Sequence, residues 1–287
     1  MPGHRLTSRD RRRTQTMESP RTEQPRQVLP GVWELGAWLP VPGHGVLAVN
    51  SFVIQGPEPV LVETGLAALR TDWLQRLAGV IDPADLRWIW ISHTDPDHLG
   101  NLAALLDIAP RAEVVTGFLG MGKMTLQGLP VDRVRLVAPG ERLQLPDREL
   151  VALRPPYFDA PETLGFLDTR TRALFAADAF GALLPAPVEE AQAIPRATLR
   201  DGLLRWSALD APWLGEMDAH AFGRKLRALE ALAPSAILGG HLPAASDRTA
   251  ELTGILAEAV HTQPTDVPAH ELLERLAAAH SSAAQAP

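Results

Sequence analysis

Hydrophobic positions repeat with two different periods along this chain, and each change of period marks an element boundary. Residues 46–54 (VLAVNSFVI) and 60–62 are apolar runs rich in β-formers on either side of Gln55-Gly56-Pro57-Glu58-Pro59, so they predict two strands around a turn. Leu66, Leu69, Trp73, Leu77 and Val80 then fall at helical spacing until Asp82-Pro83 ends the pattern. The short apolar run 87–91 (RWIWI) predicts a buried strand that stops abruptly at a polar loop, 92–101. A second amphipathic helix (Leu99, Leu102, Leu105, Leu106) and a strand at 113–116 come next.

Beyond this point the pattern turns to hairpins. Residues 141–145 and 148–154 flank Pro146-Asp147, and residues 163–168 and 173–177 flank the stretch 169–172. After Pro195 the spacing is mainly helical, with Phe222, Leu226, Leu229 and Leu232 on one face, before a last short strand at 236–238. No fixed-period repeat and no clean linker interrupt this order, which predicts one α/β domain over residues 28–262. A terminal amphipathic helix is expected at 267–280 and a frayed end at 281–287, together making up 263–287.

Composition narrows the function classes. With 46% hydrophobic and 21% charged residues in 287, the chain has the make-up of a soluble protein with a substantial core. Its 27 basic and 34 acidic residues leave a net charge of −7, the wrong sign for a phosphate-backbone binder, so no nucleic-acid partner is expected. Residues 1–27 hold seven Arg and three acids without apolar periodicity and predict a disordered basic tail, or a translation start at Met17. No apolar segment suits a secretion signal or a membrane span, so a cytoplasmic protein without a membrane role is expected. Cysteine is absent, which removes disulfides, thiolate nucleophiles and Cys-ligated clusters. Any metal chemistry must therefore be built from His, Asp and Glu.

Such residues are concentrated in one place. His93-Thr94-Asp95-Pro96-Asp97-His98 sets four potential ligands within six residues, directly after the predicted buried strand. A helix cap at Asp97 would explain one carboxylate but not two His flanking two Asp. Asp178 ends an apolar strand, where a bare carboxylate carries a desolvation cost, and His241 comes directly after a strand at Gly239-Gly240. Each of the last two has an ordinary structural reading, as a hydrogen-bonded Asp at a strand end and a core histidine at a turn.

The order of these pieces resembles the metallo-β-lactamase fold superfamily, and within it the flavodiiron and oxygen-binding di-iron proteins. The family's His-x-(His or Glu)-x-Asp-His loop is matched by His93, Asp95, Asp97 and His98. Its bridging Asp, often followed by Ala-Phe-Gly, is matched by Asp178, and its last His by His241 in Gly240-His241-Leu242-Pro243. Asp159 in Asp159-Ala160-Pro161-Glu162-Thr163 stands where the family carries a His. The resemblance implies a four-layer αββα sandwich with two metal ions at one edge. It would place His93, Asp95 and Asp159 on the first, Asp97, His98 and His241 on the second, and Asp178 between them, with Asp97 and Asp178 as the catalytic carboxylates. Asp95 is one methylene shorter than the Glu of the di-iron relatives, which weakens the first position. Glu63 matches the superfamily's Asp-Thr-Gly turn, Tyr157 is a candidate to hydrogen-bond a bound oxygen species or simply to pack, and His44, Trp33 and Trp38 are candidates to wall a pocket. His220, His261, His270 and His280 read as surface residues.

A shell of three His and four Asp favours iron, with zinc and manganese as the other candidates. The resulting expectation is a non-haem di-iron protein that binds or reduces a small oxidant, dioxygen or nitric oxide. A metallohydrolase acting on an ester, thioester or phosphodiester through metal-bound hydroxide is the alternative, and a degenerate, weakly metallated binding module the second. The partners implied are a small-molecule substrate or gas ligand, an external electron donor, since no flavodoxin domain is found in the chain, and a second copy in a homodimer.

Overall fold

The computed structural model describes residues 19–262. Strands β1 (Arg21–Thr22) and β2 (Arg26–Leu29) both pair antiparallel with β3 (Val32–Val41), which runs in continuous register against β4 (Gly45–Ile54). After antiparallel β5 (Val60–Val62) the connections become helical crossovers. Helix α1 (Arg70–Ala78) leads to β6 (Trp88–Trp90), α2 (Pro96–Leu99) and α3 (Leu102–Ile108) lead to β7 (Glu113–Thr116), and α4 (Phe118–Leu126) leads to β8 (Val134–Leu136), all parallel to β5.

The second sheet opens with hairpins, β9 (Arg142–Gln144) with β10 (Glu149–Leu153) and β11 (Gly165–Asp168) with β12 (Ala173–Phe175). Helices α5 (Arg196–Asp210) and α6 (Ala219–Ala231) cross over to β13 (Ala236–Gly239), parallel to β12, and β14 (Leu242–Ser246) and α7 (Thr249–Leu256) complete the order.

The layering arises from residue alternation within these strands. Phe52, Val62, Trp88 and Trp90 of the first sheet meet Phe166, Phe175 and Leu238 of the second in a core between the sheets. Their neighbours Val53, Leu61 and Ile89 point the other way, onto Trp73 and Leu77 of α1 and Leu102 and Leu105 of α3. Leu167, Leu174 and Ile237 likewise turn outward onto Leu199 and Leu203 of α5, Phe222 and Leu226 of α6 and Leu252 of α7. Three cores between four layers make an αββα sandwich, and they explain why the central strands read as uninterrupted apolar runs. Among the described residues no helix is long and apolar enough to cross a membrane.

Three departures from the sequence reading have clear causes. Residues 19–27, expected in the disordered tail, include β1 and the first half of β2, because a ten-residue β3 offers an edge that this segment pairs through its backbone. Arg26 then reaches the buried Glu34 at 3.2 Å. Secondly, the polar loop after β6 is partly helical, since Pro96 at the start of α2 presets a helical φ. Thirdly, α4 and β8 have too little amphipathic contrast to stand out, with Phe118, Leu119, Leu126 and Leu136 left exposed. Residues 1–18 and 263–287, with the helix expected at 267–280, lie outside the described residues.

Candidate metal centre

Parallel strands end together, and the loops that leave their ends gather on one edge of the sandwich. Just past β6, Ser92 and His93 are buried, and Asp95 is extended before α2 carries Asp97 and His98 back toward the sheet. The turn after β5 grips this loop. Glu63, in the left-handed region at φ 60, accepts from the Ser92 backbone N–H at 3.2 Å, and its Oε2 lies 3.4 Å from His98 Nδ1. Thr64 donates through its hydroxyl to the His98 carbonyl at 3.0 Å, and Asn101 Nδ2 donates to the Thr64 carbonyl at 2.7 Å. On the far side Glu162 accepts from Thr94 Oγ1 at 3.0 Å and from Lys123 Nζ at 2.6 Å.

The second sheet contributes two more side chains. Asp178 sits in a tight turn after β12, flanked by Ala177 and Phe180 at φ 50 and 69. A non-glycine residue held there stores strain that packing must over-determine. The clamp is visible: Tyr157 Oη at 3.4 Å and Trp206 Nε1 at 3.1 Å both donate to the Asp178 carbonyl. A methyl group on Gly181 would lie 2.4 Å from Trp206 Nε1 and 2.8 Å from His241 Cβ, so only glycine allows this approach. His241, just past β13, donates from Nδ1 to the Ala48 carbonyl at 2.7 Å. A carbonyl can only accept, so that proton is fixed on Nδ1 and Nε2 is the ring nitrogen left to face the cluster.

These side chains converge. Asp178 Oδ1 lies 3.0 Å from His98 Nε2 and 3.3 Å from His241 Nε2, while Oδ2 lies 3.3 Å from His93 Nε2. Asp97 Oδ2 completes that side at 3.6 Å from His98 Nε2 and 3.5 Å from His241 Nε2. On the other side the donor atoms of His93, Asp95 and Asp159 lie within 4.8 Å of one another, as do those of Asp97, His98 and His241. His93 Nε2, His98 Nε2 and Asp178 Oδ1 are buried, with no neighbour in hydrogen-bond geometry beyond the ion pairs of the cluster itself. Such atoms carry a large desolvation penalty alone, and a cation among them removes it. The donor set thus fits a pair of divalent ions.

The electrostatics carry the same signature. Burial works against charge on Asp178, but the imidazoles of His98, His93 and His241 outweigh it and hold the carboxyl well below its usual range. Burial also pulls the three imidazoles down, yet Asp178 raises His93, raises His98 strongly and pushes His241 up to about 9. At neutral pH His241 of the metal-free cluster is therefore protonated, and a cation at its Nε2 must displace that proton. Divalent metal uptake at pH 7 is expected to release protons and to tighten as pH rises toward about 9. Metal titration in weakly buffered solution with a pH indicator measures this, and an affinity flat across that range would refute it.

All seven residues singled out in the sequence come together, although unequally: His93, His98, Asp178 and His241 are buried, Asp95 and Asp97 are half-buried and Asp159 is exposed. Tyr157 is fully buried as a neutral phenol, burial holding its pKa well above the usual value. His44 contacts Arg205 at 2.9 Å. Trp38 lines a hollow with Glu34 and Asn50 that none of these seven side chains lines, and Trp33 bonds Gln55 at 3.1 Å. His220 and His261 are exposed. Sequence reasoning missed Trp206, whose ring packs 4.6 Å from that of His241, and Asp210 one turn later. Burial and the Asp178 carboxylate push Asp210 up to about 8. The only available signal was a Trp and an Asp four apart on a helix, which does not stand out from ordinary amphipathicity.

A family model described as ODP family beta lactamase matches residues 47–199. Diflavin flavoprotein A 1 of Synechocystis sp. is 34% identical over 139 residues, 46% of this chain and 23% of that protein. Type A flavoprotein fprA of Rhodobacter capsulatus is 30% identical over 144 residues, 46% of this chain and 31% of that protein. The chain thus spans under a third of the length of these curated relatives. Among solved structures, rubredoxin oxygen:oxidoreductase from Desulfovibrio gigas superposes with a TM-score of 0.71 at 21% identity, covering 84% of this chain and 63% of that one. The flavodiiron protein from Giardia intestinalis gives 0.70 at 19% identity, covering 84% and 60%.

Proposed function

The chain belongs to the ODP beta-lactamase family, and from that premise we propose that it is a non-haem di-iron protein that binds or reduces dioxygen or nitric oxide. The observation that carries this reading is the two-sided environment of Asp178, with one carboxylate oxygen toward His93 and the other toward His98 and His241. In it His93, Asp95 and Asp159 hold one ion, Asp97, His98 and His241 the other, and Asp178 bridges. Four carboxylates in the shell favour a hard, redox-active metal, iron ahead of manganese and zinc. The hydrolase alternative draws no support from the matched relatives, which bear flavoprotein and flavodiiron names.

The side chains have distinct tasks in this reading. Ala48, Glu63 and Ser92 orient His241, His98 and His93 through the ring nitrogens that face away from the centre. Asp97, whose side chain is about one-fifth exposed, is the carboxylate through which protons pass between solvent and the buried cluster. Bound iron would supply the electrons and the open position for the gas. In this reading an external donor replenishes those electrons, and with no cysteine the chain offers no thiol or cysteine-ligated cluster for that task. A homodimer in the cytoplasm completes the proposal, with the exposed Phe118, Leu119 and Leu136 around one surface hollow as the pairing face.

The test is elemental analysis of protein purified under argon, and then gas consumption with a supplied chemical reductant. Two irons per chain and reductant-dependent loss of dioxygen or nitric oxide are expected. A colourless zinc protein that cleaves an ester or phosphodiester would overturn the reading.

A further inference from the structure

We propose that Asp210 is an additional carboxylate ligand of the first metal position, the one served by His93, Asp95 and Asp159. This rests on the dinuclear reading above and extends it to a residue on α5. The carboxylate oxygens of Asp159, Asp178 and Asp210 lie within 4.8 Å of one another, whereas Asp210 shares no such grouping with Asp97, His98 or His241. Asp210 is likewise in no such grouping with His93 or Asp95, so it is Asp159 that ties it to the first position.

Three observations point to a cation between these carboxylates. Asp210 Oδ2 is buried and has no hydrogen-bond partner. His93, fully buried, directs at Asp178 Oδ2, 3.3 Å away, a Nε2 that no neighbour meets in hydrogen-bond geometry, on the same side of the bridge. Asp210 is also the last residue of the fifteen-residue α5, where the helix's own carbonyls already concentrate negative charge and a carboxylate is unfavourable unless a cation sits nearby.

The location is rigid as well as charged. One turn before Asp210, Trp206 fastens α5 to the Asp178 carbonyl at 3.1 Å and lies against His241. Asp210 thus has little freedom to turn away. It also supplies what the first position lacks, since of His93, Asp95 and Asp159 only His93 is buried. With Asp178 and Asp210 added, two further buried or partly buried carboxylates secure the ion on the sandwich side.

The experiment is anaerobic titration with ferrous iron of the wild-type chain, Asp210→Asn, Asp210→Ala and His241→Ala, reading metal per chain and melting temperature with and without metal. The wild type should take up two ions, and His241→Ala should lose the second position. Asp210→Asn, which keeps the side-chain shape, should fill only one position tightly and bind the other at least about tenfold more weakly. Without metal it should melt no lower than the wild type, because the substitution relieves carboxylate crowding. Two ions at wild-type affinity in both Asp210 variants would overturn the proposal and leave the dinuclear reading standing. A metal-free Asp210→Asn that melts well below the wild type would reveal a structural role and also overturn it. A wild type that binds fewer than two ions would refute the dinuclear reading, and this proposal with it.

Discussion

Asp178→Ala is expected to empty both metal positions together and to lower the stability of the metal-free protein at neutral pH. Its two oxygens face donors of both positions, so no other single side chain serves both sides as directly. Without metal, the same carboxylate is the counter-charge for three buried imidazoles. Removing one partner of a buried ion pair costs about 3–5 kcal/mol, moderated here because an imidazole can shed its proton instead. The histidines are raised in the folded state, so their pairing contributes fully below the ordinary imidazole value of 6.5 and fades as pH rises through about 9 for His241. The Asp178 contribution has the opposite sign, present above the usual carboxylate range and lost in acid. The gap between wild type and Asp178→Ala should therefore be widest in mildly acidic solution, above the usual carboxylate range and below 6.5, still present at neutrality, and should close in both directions. Metal analysis and denaturant melts across pH measure it, and full metal retention by the variant would refute the bridging role.

Phe166→Ala is expected to destabilise the protein by about 3–5 kcal/mol, the range for truncating a fully buried aromatic. Phe166 stacks on Phe175 at 4.3 Å between ring centroids and meets Trp90 at 4.5 Å, so it joins the two sheets at their centre. Trp90 lies three residues before His93, and Phe175 three residues before Asp178. A cavity here loosens the spacing on which the metal donors depend, so metal affinity should fall together with stability. Urea unfolding and metal titration on one variant give both numbers, and a loss below about 1 kcal/mol would show that the sheets are held elsewhere.

Much of the architecture was legible from the chain because buried strands and amphipathic helices leave periodic marks. The runs around Val53, Ile89 and Leu174 have apolar residues on both faces, the signature of sheets covered on both sides. The short strands β1 and β2 and the weakly amphipathic α4 were not legible, since backbone pairing to a sheet edge requires no side-chain pattern.

The metal-donor types were equally visible. A chain without cysteine that places His, Asp, Asp and His directly after a buried strand restricts any metal site to imidazole and carboxylate. By itself the sequence determined which chemistry is available, because chemistry resides in side-chain identity. The tertiary structure alone decided that Asp178 faces both sides of the cluster and that Trp206 and Asp210 of α5 reach its edge. The reason is geometric: residues far apart in the chain become neighbours only where strand ends and a helix terminus are packed together, and no local pattern encodes that meeting.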